Sequence, residues 1–330
     1  MQNANNILFR ASGNGNMMIK PQGKSNKEKY DEAIINRTKY QNDYNIIGNK
    51  DTKAAQHKLQ KIKEINTLIL ELENSKNEVE ISEGHRKFLL QTYAAEVHGR
   101  RTQISSKYLK KGNAREQDAL TLLSRVKQKV FNKNTERLRN EYFQGEPDAF
   151  DGKEIRKAKE IRDTKASWSL ETFLESKHKP INPMYEWQGH TYMSLTGAEM
   201  HHIDYCLVNG LAKAINDEKR KLAWEMGVLD MEVENDPAFV KGCKQIEINH
   251  IFDIHAFCIE NPGYEFHNEI FIHNNGADKK FIWDYDIPFE QRVHTKSFAR
   301  DEYKIAQLQE QVIVSREWLN KEMFLEYIDW

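Results

Sequence analysis

Gly145-Glu146-Pro147-Asp148-Ala149-Phe150, and after a polar interval Glu160-Ile161-Arg162-Asp163-Thr164-Lys165-Ala166-Ser167, decide how this chain is read. The second segment has the length and composition of a strand, and side chains two apart on a strand share a face. Asp163 and Lys165 therefore point the same way and Thr164 points the other. Asp148 follows a Gly-Glu-Pro turn at the start of the neighbouring strand, so a hairpin would bring its carboxylate within reach of the same ion as Asp163. Taken singly each element is weak. A surface ion pair explains most Asp-x-Lys triplets, and a turn aspartate more often bonds its own backbone.

Two further elements flank this pair. Upstream, Gly112-Asn113 precedes an amphipathic helix whose buried face reads as Ala119, Leu122, Leu123, Val126 and Val130. Glu116 falls near its start, where Asn113-x-x-Glu116 also resembles a capping box. Downstream, Asn182-Pro183 marks a helix start and Gly197 its stop. Gln188 and Tyr192, four apart, share a face of that helix.

Together these groups suit phosphodiester hydrolysis, which needs a positioned water and relief of charge on the phosphoryl oxygens. Mg²⁺ or Mn²⁺ takes oxygen ligands and keeps waters, so a few carboxylates and a backbone carbonyl suffice. Glu116, Asp148 and Asp163 are the candidate metal acids, with the Thr164 carbonyl as a further ligand. The Lys165 ammonium would orient or help deprotonate the attacking water and stabilise the charged transition state. Gln188 and Tyr192 would hold a phosphate or that water.

The formal net charge is −1, but it is unevenly spread. Residues 85–180 carry 22 Lys/Arg against 13 Asp/Glu, whereas 181–330 carry 14 against 26. The positive excess surrounds the candidate site, where a local basic surface attracts phosphate. Arg100, Arg101, Lys107, Lys110 and Lys111, with Tyr108 among them, form a basic run suited to DNA-backbone contact, the alternative being a solvated loop. Trp168 and Tyr185 are candidates for stacking on a base or for burial.

The remaining chain is read as follows. Residues 1–26, rich in Asn, Gly and Ser, are expected to be flexible. Residues 27–84 form a helical extension, with an apolar stripe at Ala55, Leu59, Ile62, Ile65, Ile69 and Leu72 suited to packing on the catalytic domain. Strands are expected at 137–143, 148–150, 160–167 and 203–209. An insertion at about 211–280 is read as helical at 211–235 and strand-like at 246–258 and 264–273, and 289–328 as mostly one charged helix. Mean hydropathy is −0.80 and no apolar run spans a bilayer, and the N-terminus lacks a signal-peptide pattern. Three dispersed cysteines fit a reducing cytoplasm, and the scattered histidines lack paired zinc spacings.

The ordered set Glu116, Gly145-x-x-Asp148, Asp163-x-Lys165 and Gln188-x-x-x-Tyr192 resembles the PD-(D/E)XK nuclease superfamily, in its RecB/YqaJ-like branch with phage lambda-type recombination exonucleases. Ser106 to Glu116, Asp163 to Ser169 and Asp286 to Arg292 support the narrower likeness. It covers about residues 98–210 well and 280–320 more loosely. The resemblance implies an α/β fold with a restriction-endonuclease-like core of helix, three-stranded meander, helix and strand, within a domain spanning 85–330. It implies a Mg²⁺- or Mn²⁺-dependent DNA exonuclease that resects duplex ends in phage-type recombination, in a bacterial host's cytoplasm. It also implies a single-strand annealing protein as partner and, as in some relatives, a homo-oligomer. The iron–sulfur cluster of other relatives is not expected, for want of four cysteines. The interval from Lys153 to Glu160 is longer than a tight hairpin, which makes Glu160 a substitute ligand candidate. Rival readings are an endonuclease acting on structured or foreign DNA, and a catalytically idle nucleic-acid-binding module.

Overall fold

Short polar residues set the helix starts. Ser25, Thr52, Ser82, Ser106, Ser169, Asn182, Asp236 and Asp253 each accept a backbone N–H of the first turn of the helix that follows. The computed structural model describes residues 3–77, 80–101, 106–227, 236–275 and 278–324. The helical readings at 228–235 and 325–328 lie outside the described residues. The chain divides into two compact units, one made of residues 1–5, 16–99 and 311–330 and the other of 6–15 and 100–310.

The first strand, β1 (Phe9–Arg10), is two residues long and belongs to the second unit. The first unit holds helices α1 (Asn26–Ile46), α2 (Lys53–Ser75) and α3 (Glu83–Glu96). The apolar stripe of α2 buries Ala55, Ile62, Ile69 and Leu72, and within this unit the helix packs on α1 as an antiparallel hairpin. Within the same unit, His85 of α3 is buried against the Ser315 hydroxyl at 2.8 Å. Burial pushes its pKa down to about 4, so it is neutral at physiological pH.

The second unit is built on a sheet. After helix α4 (Lys107–Lys127) come β2 (Asn132–Lys133), β3 (Leu138–Arg139), β4 (Phe143–Gly145), β5 (Ala149–Phe150) and β6 (Glu160–Ala166). Helices α5 (Leu170–His178) and α6 (Pro183–Thr196) follow, then β7 (Met200–Cys206). The insertion supplies α7 (Ala212–Glu225), α8 (Pro237–His250), α9 (Ile254–Glu260) and the hairpin β8 (Phe271–Asn275) and β9 (Asp278–Ile282). The chain closes with β10 (Val293–Ala299) and α10 (Glu302–Leu319).

The main sheet has the order β10-β7-β6-β5-β2. β6 and β7 are parallel, in register Asp163 with Ile203, and the other pairs are antiparallel. Its floor is Ala119, Leu120, Leu122 and Leu123 of α4 packed with Ala149, Cys206, Val208 and Phe131. Asp204, with no exposed surface, accepts from Arg162 at 2.8 Å and from Thr295 at 2.6 Å, and so pins β6, β7 and β10 together.

Several sequence expectations change. Residues 4–18 are ordered: Phe9 pairs in parallel with Phe143, and Phe9 and Ala11 are buried. The expected strand at 137–143 is instead the hairpin β3–β4, turned by Asn140, whose side-chain oxygen accepts from the N–H of Tyr142 and Phe143. Residues 246–250 and 254–258 are helical because Asp236-Pro237 and Asp253 start helices there. Residues 293–299 form β10, since β7 offers an edge to pair with.

Candidate active site

Both flanks of the site follow from local sequence. Asn182 caps α6, Pro183 occupies its first turn and Gly197 ends it in the left-handed region at φ 81°. Tyr185, Gln188 and Tyr192 are thereby set three and four apart on one stripe, and Tyr192 reaches β4 because Gly145 has no side chain. A Cβ at Gly145 would stand 2.8 Å from the Tyr192 ring and 3.0 Å from Ala11.

Asp148 and Asp163 meet as the hairpin geometry requires. Ala149 lies opposite Arg162, and the Thr164 N–H and hydroxyl donate to Asp148 Oδ2 at 2.7 and 3.1 Å. Asp163 is 2 % exposed. Its Oδ2 is in close ion-pair contact with the Lys165 ammonium but accepts no well-directed hydrogen bond. The same ammonium lies 4.7 Å from the centre of the Tyr185 ring, so Tyr185 packs on the lysine. Gln188 Nε2 donates to the Tyr192 hydroxyl at 2.9 Å.

Electrostatics confirm the crowding. Burial first, and the Asp163 charge second, push the Asp148 pKa up to about 8, with Glu116 adding a smaller push. Burial alone would lower Lys165, but the Asp163 and Asp148 charges more than offset it and hold the ammonium charged. Burial and the Asp163 charge raise the Tyr192 phenol, which therefore keeps its proton.

Glu116 is on the same site by a different route from the one expected. Ser106 caps α4 ten residues earlier, so Gly112, Asn113 and Glu116 are mid-helix and Glu116 caps nothing. Its carboxylate is 3.1 Å from the Lys133 ammonium and lines a cavity of about 320 Å³ with Asp148 and Tyr192. Arg10, Ser12, Lys133, Asn134 and Arg137 line the same cavity. Sequence reasoning missed these five. Lys133 and Arg137 belong to the basic excess of 85–180, but Arg10 arrives only through the pairing of β1 with β4.

Other expectations are corrected. Lys111 is 1 % exposed and donates to backbone carbonyls, so it cannot touch DNA. Lys107 pairs with Glu218 at 2.7 Å, while Arg100, Arg101 and Lys110 are exposed and outside the cavity lining. Glu160 is three residues from Asp163, on the opposite face, and meets His202 at 3.2 Å, which removes it as a substitute ligand. Trp168 is half-buried, edge-on to Tyr108 and His250.

Among the described residues no three His, Cys, Asp or Glu side chains converge as a ready-made metal cage. The Asp148–Asp163 pair nevertheless fits a hard divalent cation: both donors are carboxylates, and the hydrogen bonds described from Thr164 engage only Oδ2 of Asp148.

The architecture superposes on a phage-related exonuclease from Haemophilus somnus 129PT with a TM-score of 0.53, covering 98 % of this chain and 97 % of that one at 17 % identity. This chain has the restriction-endonuclease-like fold. A looser likeness, with a TM-score of 0.42 and 13 % identity, links it to the alkaline exonuclease LHK-Exo from Laribacter hongkongensis, over 74 % of this chain and 84 % of that one. No protein-family profile and no curated protein matches the sequence. Within this fold Glu116, Asp148 and Tyr192 line the cavity, and Asp163 and Lys165 of β6 stand close enough to Asp148 for their charges to act on it.

Proposed function

We propose that this chain is a divalent-metal-dependent deoxyribonuclease that degrades DNA from its ends. The observation that carries the reading is the Asp148–Asp163 carboxylate pair with Lys165, set on the β5–β6 hairpin beside a cavity walled by Arg10, Lys133 and Arg137. Binding alone gives no reason to gather buried carboxylates where phosphate must approach. The near full-length likeness to a phage-related exonuclease supports action on DNA ends, as in phage-type recombination. On this reading the resected strand passes to a single-strand annealing protein in a bacterial host's cytoplasm. Among the described residues no helix is long and apolar enough to cross a membrane.

Asp148, Asp163 and the Thr164 carbonyl would hold Mg²⁺ or Mn²⁺, with Glu116 across the cavity. A bound ion would relieve charge on the phosphoryl oxygens and acidify a coordinated water. Asp148 must first lose the proton that burial and Asp163 favour. Thr164 holds Oδ2 of Asp148, leaving the other oxygen for the cavity. Lys165, locked as an ammonium, donates to the phosphate or orients the water. Because Gln188 donates to the Tyr192 oxygen, the phenol's own hydrogen is free to point at a phosphate oxygen. Arg10, Lys133 and Arg137 supply backbone-phosphate contacts.

The test uses linear and closed circular duplex DNA with Mg²⁺, Mn²⁺ or EDTA. Metal-dependent loss of linear DNA alone is expected, and Asp163→Asn should abolish it. Cleavage of closed circles would replace the exonuclease by an endonuclease. DNA binding without cleavage in any metal would leave a binding module.

A further inference from the structure

Lys111 is among the most deeply buried charged side chains described, and it has a use other than substrate contact. It projects from α4 with 1 % of its surface exposed, and its ammonium donates to the Ser167 carbonyl at 2.7 Å and the Trp168 carbonyl at 3.1 Å. Its walls are aromatic, with the Phe252 and Trp168 ring centres at 5.6 and 5.8 Å. The only other buried lysine among the described residues, Lys219, has a carboxylate partner, Glu247, at 2.6 Å. Lys111 has backbone oxygens instead. Burial first and the neighbouring Arg115 charge second pull its pKa down to about 7, which shows how poorly the pocket suits a charge for packing alone. A methionine would fill the same space without that penalty; the lysine amino group, unlike a thioether, donates to both carbonyls.

The position of those carbonyls matters. Ser167 and Trp168 directly follow β6, two and three residues beyond Lys165, and the Ser167 N–H is itself bonded to the Cys206 carbonyl of β7 at 2.9 Å. On α4, Lys111 precedes Glu116 by five residues, about 7 Å along the axis. Along β6, Ser167 is about 7 Å from Lys165. One turn after Lys111 on the same helix, Arg115 repeats the device: its Nη2 donates to the Gly210 carbonyl, beyond the end of β7, at 3.1 Å, while Nη1 is neutralised by Asp118 and Glu260 at 2.7 and 2.6 Å.

We propose that Lys111 is a positioning residue that sets the distance between Glu116 on α4 and the Asp163–Lys165 pair on β6 by clamping the two carbonyls at the exit of that strand. The proposal rests on the nuclease reading of these residues. A shift of about 1 Å between reacting groups costs on the order of 100-fold in rate, so loosening the clamp should lower turnover and metal affinity. DNA affinity should hardly change, because the ammonium is sealed from the cavity.

The experiment compares full-length wild type with Lys111→Met, Lys111→Gln and Lys111→Arg. Mn²⁺ affinity is read by titration calorimetry without DNA, and kcat and KM are measured on linear duplex DNA. For Lys111→Met and Lys111→Gln, kcat should fall about 10- to 100-fold and Mn²⁺ binding weaken severalfold, with KM little changed. Lys111→Arg, which keeps a charged donor, should recover part of both. A folded Met or Gln variant with wild-type kcat and Mn²⁺ affinity overturns the proposal. So does a loss confined to KM, which would return Lys111 to DNA contact, and so does failure of both variants to fold, which would make its role purely structural. Wild type that binds Mn²⁺ yet cuts no DNA refutes the nuclease reading instead, and calorimetry still reads the clamp.

Discussion

Replacing Asp148 by Asn should make the metal-free protein more stable, and increasingly so as pH rises. A carboxyl whose folded-state pKa is raised keeps a proton that the unfolded chain has already lost. Stability therefore falls as pH climbs from the unfolded value near 4 and levels off above the folded one. For Asp148 the cost comes from burial beside Asp163, and the folded value is about 8. Between pH 6 and pH 8 two units of this slope remain, at most about 2.7 kcal/mol at 1.36 kcal/mol per unit. Partial access of Asp148 to water reduces this to about 1–2 kcal/mol. Asparagine has no such slope. Urea melts in EDTA at pH 6 and pH 9 should show the advantage of Asp148→Asn over wild type growing by that amount, and groups common to both cancel in the difference. Added Mg²⁺ at pH 9 should stabilise wild type and leave the variant nearly unmoved. An advantage that is the same at both pH values refutes the raised carboxyl and the proton displacement that metal binding requires.

Two other perturbations probe the site's framework and its cavity. In Gly189→Ala the new Cβ would stand 2.5 Å from Phe298 and 2.8 Å from the buried His201 ring. Contacts this short place the overpacking cost at the upper end of about 1–3 kcal/mol, and against a helix-propensity gain of about 0.5–1 kcal/mol the net loss is about 2 kcal/mol, read as a lower thermal midpoint; an unchanged midpoint contradicts the packing. Arg137→Ala should weaken duplex binding in EDTA and reduce the slope of log affinity on log salt by about 0.9, measured by fluorescence anisotropy; an unchanged slope removes Arg137 from the DNA path.

The parts of this fold that were legible in sequence are those fixed by local chemistry. Asn182-Pro183 and Gly197 mark α6 because a cap, a fixed φ and a left-handed residue act within a few positions. Asp163 and Lys165 share a face by strand parity alone. Glu116 shows the reverse: Asn113-x-x-Glu116 imitates a cap, but the helix had already begun at Ser106. The segment from Val293 to Ala299 carries too little apolar alternation to declare a strand and becomes one only against β7. Likewise, nothing near Arg10 points to phosphate. Its place beside Asp148 depends on a parallel pairing with residues more than a hundred positions away.

That pairing has a consequence for synthesis. Ribosomes add roughly 5–20 residues per second, and the cavity wall at Arg10 to Ser12 has no partner until Phe143 and Gln144 have emerged. The sheet's β7 edge then waits for Val293 to Ala299. The first-made residues of the site are thus among those held longest without their partners. The main sheet therefore gains its last strand only when Ala299 has been made.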